Sequence, residues 1–211
     1  MINQLKIFEV YEDSRHIYTR NLTPGKTFFK ERTVKDGSAE YREWDPKRSK
    51  LAAAIVKGAS NTFIRQGSII LYLGAAHGYT PSYISDIVNN SGFIFAVDNA
   101  PRVVRDLVML SKVRKNIAPI LGNAHHPESY LDKVSQVDIV YQDIAQKDQL
   151  GIFMKNMDIF LKSGGYGLLA VKARSIDIRQ RPKTIFNEIR AAVDKVYPVI
   201  DFRSLDPLEL D

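Results

Sequence analysis

Ile69-Ile70-Leu71-Tyr72-Leu73-Gly74-Ala75-Ala76-His77-Gly78-Tyr79-Thr80 is an apolar run of strand length that stops on a glycine and enters a small-residue loop. A helix is predicted from Pro81, with Ile84, Ile87 and Val88 on one face. Glycine is needed where backbone turns sharply or lies against a ligand with no Cβ in the way. Strand, glycine loop and helix in that order make the first unit of a nucleotide-binding α/β sheet. The second unit agrees: Phe93 to Val97 reads as a strand, and Asp98 closes it 24 residues after Gly74. A carboxylate at that strand end is placed to accept hydrogen bonds from both hydroxyls of an adenosine ribose.

From Gly74 to Gly78 the loop reads G-x-x-x-G, not the G-x-G-x-x-G of dinucleotide sites, and His77 and Tyr79 would crowd a pyrophosphate. A nucleoside without phosphates fits better, and S-adenosylmethionine is the common one. The missing pyrophosphate glycines argue against a nicotinamide-dependent oxidoreductase.

Downstream the same alternation continues. A helix is predicted from Pro101 to about Lys115, with Val103, Val104, Leu107, Val108 and Leu110 as its apolar stripe. Ile117 to Leu121 is a strand whose exit loop carries Asn123, Ala124, His125 and His126. Asn123 and Ala124 are candidates for contacts to an adenine. Adjacent loop histidines seldom converge on one ion, so no metal is expected. Val137 to Gln142 is the next strand and ends at Asp143-Ile144-Ala145-Gln146. A helix from about Lys147 to Lys162 stops at Gly164-Gly165, and a strand from Tyr166 to Val171 ends at Lys172. A last helix (Thr184 to about Lys195) precedes a strand predicted over Tyr197 to Phe202. This order implies a mostly parallel sheet with helices on both faces. Ligands of such sheets lie beyond the carboxyl ends of the strands. Gly74, Asp98, Asn123, Asp143 and Lys172 all end strands, so they are expected on one rim.

Upstream, residues 1–45 read as a separate small β domain. Alternating runs (Lys6 to Tyr11, Ile17 to Thr19, Thr27 to Phe29) are separated by turn signals at Asn21, Pro24-Gly25 and Asp36-Gly37. That pattern predicts an antiparallel meander packed against the second domain, residues 46–211. At the junction, Asp45 is predicted to cap a helix opening at Pro46. Lys47, Arg48 and Lys50 stand near its start, where the helix dipole disfavours cations.

The chain has 211 residues, 45% of them hydrophobic, with no cysteine and no apolar stretch long enough to span a bilayer. It carries no signal-peptide pattern, so an intracellular, cytoplasmic protein is expected, with disulfides and thiolate metal sites excluded. A net charge of +6 makes an acidic partner plausible, and nucleic acid is the usual one.

Asp143 and Lys172 end consecutive strands and can meet at the reactive end of such a cofactor. With Lys50 they form a plausible site for activating a hydroxyl. A ribose 2′-hydroxyl is a poor nucleophile; an amine beside another cation and partly desolvated can accept its proton. A carboxylate can hold that amine in line. Methyl transfer from a sulfonium then needs mainly proximity and a straight line from O through CH₃ to S.

These motifs carry a resemblance. The runs YREWDPKRSKLAAAI (41–55), LYLGAAHGYTPSYISDIV (71–88), VDNAPRVVRDLV (97–108), NIAPILGNAHHPESY (116–130), VDIVYQDIAQKDQ (137–149) and VKARSID (171–177) resemble fibrillarin in its archaeal form, in order and spacing. The resemblance implies a class I S-adenosylmethionine-dependent methyltransferase fold with a small N-terminal antiparallel β domain. It implies 2′-O-methylation of rRNA, and of tRNA. It also implies a box C/D ribonucleoprotein containing a Nop-domain scaffold protein, a kink-turn-binding protein and a guide RNA that selects the target RNA. A non-catalytic structural subunit of such a particle is the rival reading. By motif, Gly74, Ala75, Tyr79, Thr80, Asp98, Asn99, Asn123, Ala124 and Asp143 to Gln146, including Ile144 and Ala145, would line the cofactor site. Lys50, Asp143 and Lys172 would be catalytic. The sequence departs from the family pattern at His77 (usually Ser), Tyr79 (usually Thr), Asp98-Asn99 (usually Glu-Phe) and Asn123 (usually Asp). The family pattern also continues past Asp211 through Asp-His into a final strand, so the methyltransferase domain is expected to be C-terminally incomplete and to lack a fourth catalytic residue.

Overall fold

The computed structural model describes residues 2–7 and 9–208. The N-terminal part forms an antiparallel sheet of β1 (Asn3–Gln4), β2 (Val10–Glu12), β3 (Ile17–Arg20), β4 (Thr33–Asp36) and β5 (Ala39–Glu43), in the order β1-β2-β3-β5-β4. Asp36 and Ala39 pair across Gly37 and Ser38, so the predicted Asp-Gly turn closes the β4–β5 hairpin. Two other readings of this region change. The run Lys6 to Tyr11 is not one strand. The Leu5 N–H donates to the Val10 carbonyl at 2.8 Å and closes a turn, and pairing resumes only at Val10; Phe8 lies outside the described residues. Thr27 to Phe29 is not a strand either. The backbone N–H groups of Phe28 and Phe29 donate to the Glu31 carboxylate, at 3.3 and 2.8 Å, which takes them out of any ladder.

The segment after Glu43 leads into α1 (Lys50–Val56). Asp45 does not cap that helix. Its side chain accepts from the Lys47 N–H and its carbonyl from Arg48, which makes a single turn. The chain then extends at Ser49, and the Ser49 hydroxyl caps α1 by accepting from the Ala52 N–H. Lys50 is therefore the first helical residue.

Beyond it, β6 (Ile69–Leu73), α2 (Tyr79–Val88), β7 (Phe93–Asp98), α3 (Pro101–Ser111), β8 (Ile117–Leu121), β9 (Val137–Gln142), α4 (Gln149–Phe160) and β10 (Leu161–Leu169) follow in turn. The sheet order is β10-β9-β6-β7-β8, and every pairing is parallel. Alternate side chains face opposite layers. Ile70, Tyr72, Ile94, Ala96, Ile139 and Tyr141 pack with α1, α2 and α3. Leu71, Leu73, Val97 and Val140 pack with Ile152, Phe153, Met157 and Phe160 of α4 and with Tyr130. Of the stripe predicted on α3, Val104, Leu107 and Leu110 are buried, whereas Val108 is exposed.

Two helices follow, the short α5 (Ala173–Ile176) and the longer α6 (Pro182–Asp194). The strand predicted over Tyr197 to Phe202 does not form. Asp194 and Asp201 carboxylates accept the N–H groups of Val199 and Phe202, so side chains satisfy donors that a ladder would have used.

Helix α2 lies between the two sheets, and so nearly all of it is buried, including Ser82, Ser85 and Asp86. The Asp86 carboxylate accepts from Thr19 Oγ1 (2.7 Å), the Leu22 N–H (2.9 Å) and Arg42 Nη1 (2.8 Å), and it pairs with Arg114. Arg42 also pairs with Glu31 at 2.6 Å and lies over the Tyr83 ring at 4.3 Å. This cluster, with the Trp44–Tyr83 stack at 5.1 Å, joins the antiparallel sheet to the rest of the molecule.

Candidate active site

The strand order reverses between β6 and β9, and crevices in parallel sheets open at such a point. Gly74 ends β6 there with φ +83°, and a Cβ on it would collide with the Asp143 carbonyl at the end of β9. Gly78, at φ +86°, turns the chain into α2; a Cβ there would press on Leu107 and Leu110. Both loop glycines are thus required by the backbone itself.

Two clefts meet at Gly74, Ala76 and Asp143. The first, of about 260 Å³, is walled by Val97, Ala124, Ile144 and Ile152 and carries Asp98, Asn99, Asn123 and Gln146 as polar groups. Ala145 lines it too, and among the described residues Lys172 is its single cation. That donor set suits a nucleoside: a carboxylate for ribose hydroxyls, amides and apolar walls for a base, and no cluster of cations for phosphates. Each Asp98 oxygen is held by a backbone N–H, Ala76 to Oδ2 at 2.8 Å and Ala100 to Oδ1 at 3.0 Å. The carboxylate is therefore fixed in direction, and each oxygen keeps a lone pair for a ligand.

The second cleft, of about 300 Å³, is lined by Phe29, Arg48, Tyr72, Ala75, His77, Tyr79, Thr80 and Pro81. Tyr79 does not reach the first cleft. Its ring is met edge-on by Phe29 at 5.2 Å and carries the Arg48 guanidinium at 4.1 Å, and its hydroxyl accepts from the Asp45 N–H at 3.2 Å. Thr80 is buried and donates to Ser49 Oγ at 3.0 Å. The N–H groups of Gly74 and Ala75 both point inward, to the Val97 carbonyl. Burial holds the Tyr72 phenol far above its ordinary pKa, with the Tyr141 and Asp143 side chains adding to the shift, so it stays neutral.

Asp143 stands where the clefts join, with Lys172 Nζ at 2.9 Å and Lys50 Nζ at 3.6 Å, both from Oδ1. All three side chains are between 13% and 19% exposed, enough for a substrate to reach them. The backbone of Lys172 is clamped by the buried side chain of Gln149, which accepts its N–H and donates to its carbonyl, both at 2.9 Å. Gln149, Ser49, Arg48 and Phe29 were not among the site residues expected from sequence. Gln149 closes the quoted 137–149 run, and Ser49 and Arg48 lie in the 41–55 run, but nothing local marks the side-chain partners they meet.

The fibrillarin family model matches residues 3–211 of this chain. The chain belongs to the fibrillarin family. A fibrillarin-like rRNA/tRNA 2'-O-methyltransferase from Thermococcus gammatolerans is 45% identical over 97% of this chain and 92% of its own length. Aeropyrum pernix fibrillarin, solved with natively bound S-adenosyl-L-methionine, superposes with a TM-score of 0.89 at 42% identity, over 99% of this chain and 94% of its own. A fibrillarin solved in complex with Nop5p gives a TM-score of 0.87 at 37% identity, over 98% and 95% of the two chains. The class I methyltransferase fold with an N-terminal antiparallel sheet is therefore the fold of this fibrillarin relative.

The departures from the fibrillarin pattern have visible local consequences. His77 turns outward, its Nδ1 2.7 Å from Asp106 Oδ2 on α3. Asn123 accepts the His125 N–H through its side chain and shapes the exit loop of β8. His126 sits 3.1 Å from Glu128, which also pairs with Lys155 at 3.1 Å. Among the described residues no helix is long and apolar enough to cross a membrane.

Proposed function

We propose that this chain is an S-adenosylmethionine-dependent RNA ribose 2′-O-methyltransferase, the catalytic subunit of a box C/D guide ribonucleoprotein acting on rRNA and tRNA in the cytoplasm. The observation that carries the reading is the carboxylate of Asp143 between two lysines, at the junction of a nucleoside-shaped cleft and a second, open one. Family membership, a relative that holds S-adenosyl-L-methionine and a relative bound to Nop5p support it. We further propose a Nop-domain scaffold, a kink-turn-binding protein, a guide RNA and its target RNA as partners.

In this reading Asp98, Asn99, Asn123, Ala124 and the Asp143 to Gln146 turn seat the nucleoside part of the cofactor. Gly74 and Ala75 close the floor, and Tyr79 and Thr80 border the second cleft. The bound cofactor supplies a methyl group on a sulfonium, an electrophile that needs no further activation. The acceptor ribose enters through the second cleft, where the exposed Arg48 guanidinium can hold an adjoining phosphate. Lys172, held in line by Asp143 and first relieved of its own proton, takes the 2′-hydroxyl proton as a neutral amine while the oxygen attacks, and Lys50 supports the pair from α1. Before Lys172 gives up its proton, the two lysines against one carboxylate make these three groups net positive, which favours approach of a polyanion. Among the described residues no base-reading element lies on this rim, so basic side chains position the RNA and the guide chooses the nucleotide.

The test is calorimetric titration with S-adenosylhomocysteine and with NAD, followed by methyl incorporation in the reconstituted complex. Binding of S-adenosylhomocysteine and guide-dependent 2′-O-methylation are expected, with little turnover by the isolated protein. Tight NAD binding without response to S-adenosylhomocysteine would overturn the reading. Cofactor binding without turnover in the full complex would leave a structural subunit.

A further inference from the structure

Lys172 stands where the sheet no longer holds the chain. The β9–β10 ladder runs as far as the Ala170 N–H, which donates to the Gln142 carbonyl at 2.9 Å. Lys172 comes two residues later, outside that pairing, yet its Nζ lies 2.9 Å from Asp143 Oδ1. One side chain takes the place of the ladder. Gln149, the first residue of α4, is fully buried, and its amide meets both backbone groups of Lys172. Oε1 accepts the N–H and Nε2 donates to the carbonyl, each at 2.9 Å. The same carbonyl accepts the Ser175 N–H of α5 at 3.1 Å. Gln149 is itself held from β9, because the fully buried Gln142 donates through Nε2 to the Gln149 carbonyl at 2.7 Å. The residue after Gln142 is Asp143.

A lysine amine rides on a flexible four-carbon stem, so its place depends first on where its Cα is held. An amide that bonds the N–H and the C=O on either side of one Cα fixes that Cα and the direction of its Cβ. The amide is buried, so water competes little for these bonds. Through Gln142 and Gln149, the Lys172 backbone is thus referred to the same strand end that carries Asp143. Neither glutamine lines either cleft. We infer that Gln149 is a positioning residue for Lys172, holding its backbone so that the amine meets Asp143 and the acceptor hydroxyl. It serves the chemical step and not cofactor binding. The inference rests on the reading of Lys172 as the base in the proposed methyl transfer.

The test uses the reconstituted guide complex under single turnover with saturating cofactor. Gln149→Met keeps the side chain's length and removes both bonds to Lys172. We expect the methyl-transfer rate to fall about tenfold to a hundredfold, as misplacement of a reacting group does, with S-adenosylhomocysteine affinity unchanged by calorimetry. Gln149→Glu keeps the shape and still accepts the Lys172 N–H, so its rate should lie between those of Gln149→Met and the parent. It also keeps the test readable should Gln149→Met fail to fold. Lys172→Ala should lower the rate by itself. Gln149→Met added to it should lower the rate little further, because the clamp then has no amine to place. Ile152, one turn along α4, walls the nucleoside cleft, so a merely structural Gln149 would disturb cofactor binding as well. A loss of S-adenosylhomocysteine affinity that matches the loss of rate would therefore overturn the inference. Additive losses in the double variant, or a parental rate in folded Gln149→Met, would overturn it too. Normal turnover in Lys172→Ala would instead overturn the reading of Lys172 as the base, and the positioning role with it.

Discussion

Two carboxylates, Asp86 and Asp143, each stand between two basic side chains, and they do different work. Asp86 lies between Arg42 and Arg114, with all three side chains fully buried, and Glu31 brings this cluster to charge neutrality. Both Asp86 oxygens already accept two donors apiece. Asp143 lies between Lys50 and Lys172, with every one of these three members partly exposed. The first cluster is saturated and closed, and so it can only hold structure together. The second is open to solvent at every member, which gives a reacting hydroxyl the access it needs. Arginine in the first and lysine in the second fit that division: the guanidinium stays charged and spreads its donors over several acceptors, whereas an ammonium can give up a proton.

Substituting each carboxylate should separate the two roles. Asp143→Asn is expected to lower kcat in the guide complex by about 10² to 10⁴, the usual range for a group that steers proton transfer. Its melting temperature should stay close to that of the parent. A fall in stability as large as the fall in rate would erase the distinction between the clusters.

Asp86→Asn should do the reverse. It leaves two buried guanidinium groups short of a counter-charge, and urea denaturation should report a loss of about 3–5 kcal/mol. Because α2 then loses its anchor to the antiparallel sheet, the N-terminal residues should become protease-sensitive first. Reduced activity with unchanged stability would mean that the cluster also shapes the site.

The comparison sharpens with pH. Burial raises the Glu31 carboxyl, but the Arg42 charge and hydrogen bonds from the Phe29 N–H and Arg42 outweigh it and hold it below the usual carboxylate range. A depressed folded-state pKa adds stability above the unfolded value, about 4.3, and loses it as pH falls through the folded value. The melting temperature should therefore drop below about pH 4, and Glu31→Gln should flatten that drop. An unaltered acid limb in the variant would show that other carboxylates govern it.

The smallest effect belongs to an ion pair of neither kind. Lys162 and Asp138 pair at 2.8 Å with both side chains about two-fifths exposed. Lys162→Ala should cost less than about 1 kcal/mol in the same denaturation assay and leave methylation untouched.

Much of this was legible in the chain. The alternation of apolar runs with helical periodicity predicted β6 to β10 and their helices, because a strand buried on both faces must be apolar throughout. Strand-end residues fall on one rim for any right-handed series of β-α units, so Gly74, Asp98, Asn123, Asp143 and Lys172 could be gathered without coordinates. Of the segments that read wrongly, Lys6 to Tyr11 is interrupted by a backbone turn from Leu5 to Val10, and Gly164-Gly165, expected to end a helix, lie inside β10. Three others share one feature, a nearby acidic side chain that takes backbone donors. Glu31 does so at Phe28 and Phe29, Asp45 at Lys47, and Asp194 and Asp201 at Val199 and Phe202. Apolar pattern is blind to that competition, since the side chains around it still alternate.

The sequence by itself determined the parallel sheet, its order of units and the five rim residues, because strand and helix periods are local properties of a chain. Only the tertiary structure decided which side chains meet. It turned Thr80 to Ser49, 31 residues away, closed Gln149 around the Lys172 backbone, and brought Thr19 to Asp86 across 67 residues. It also left Asp143 open where it closed Asp86. Hydrogen bonds and charge pairs depend on through-space approach to within about 3 Å, and that approach is set by how two sheets dock on one buried helix, which no local pattern encodes.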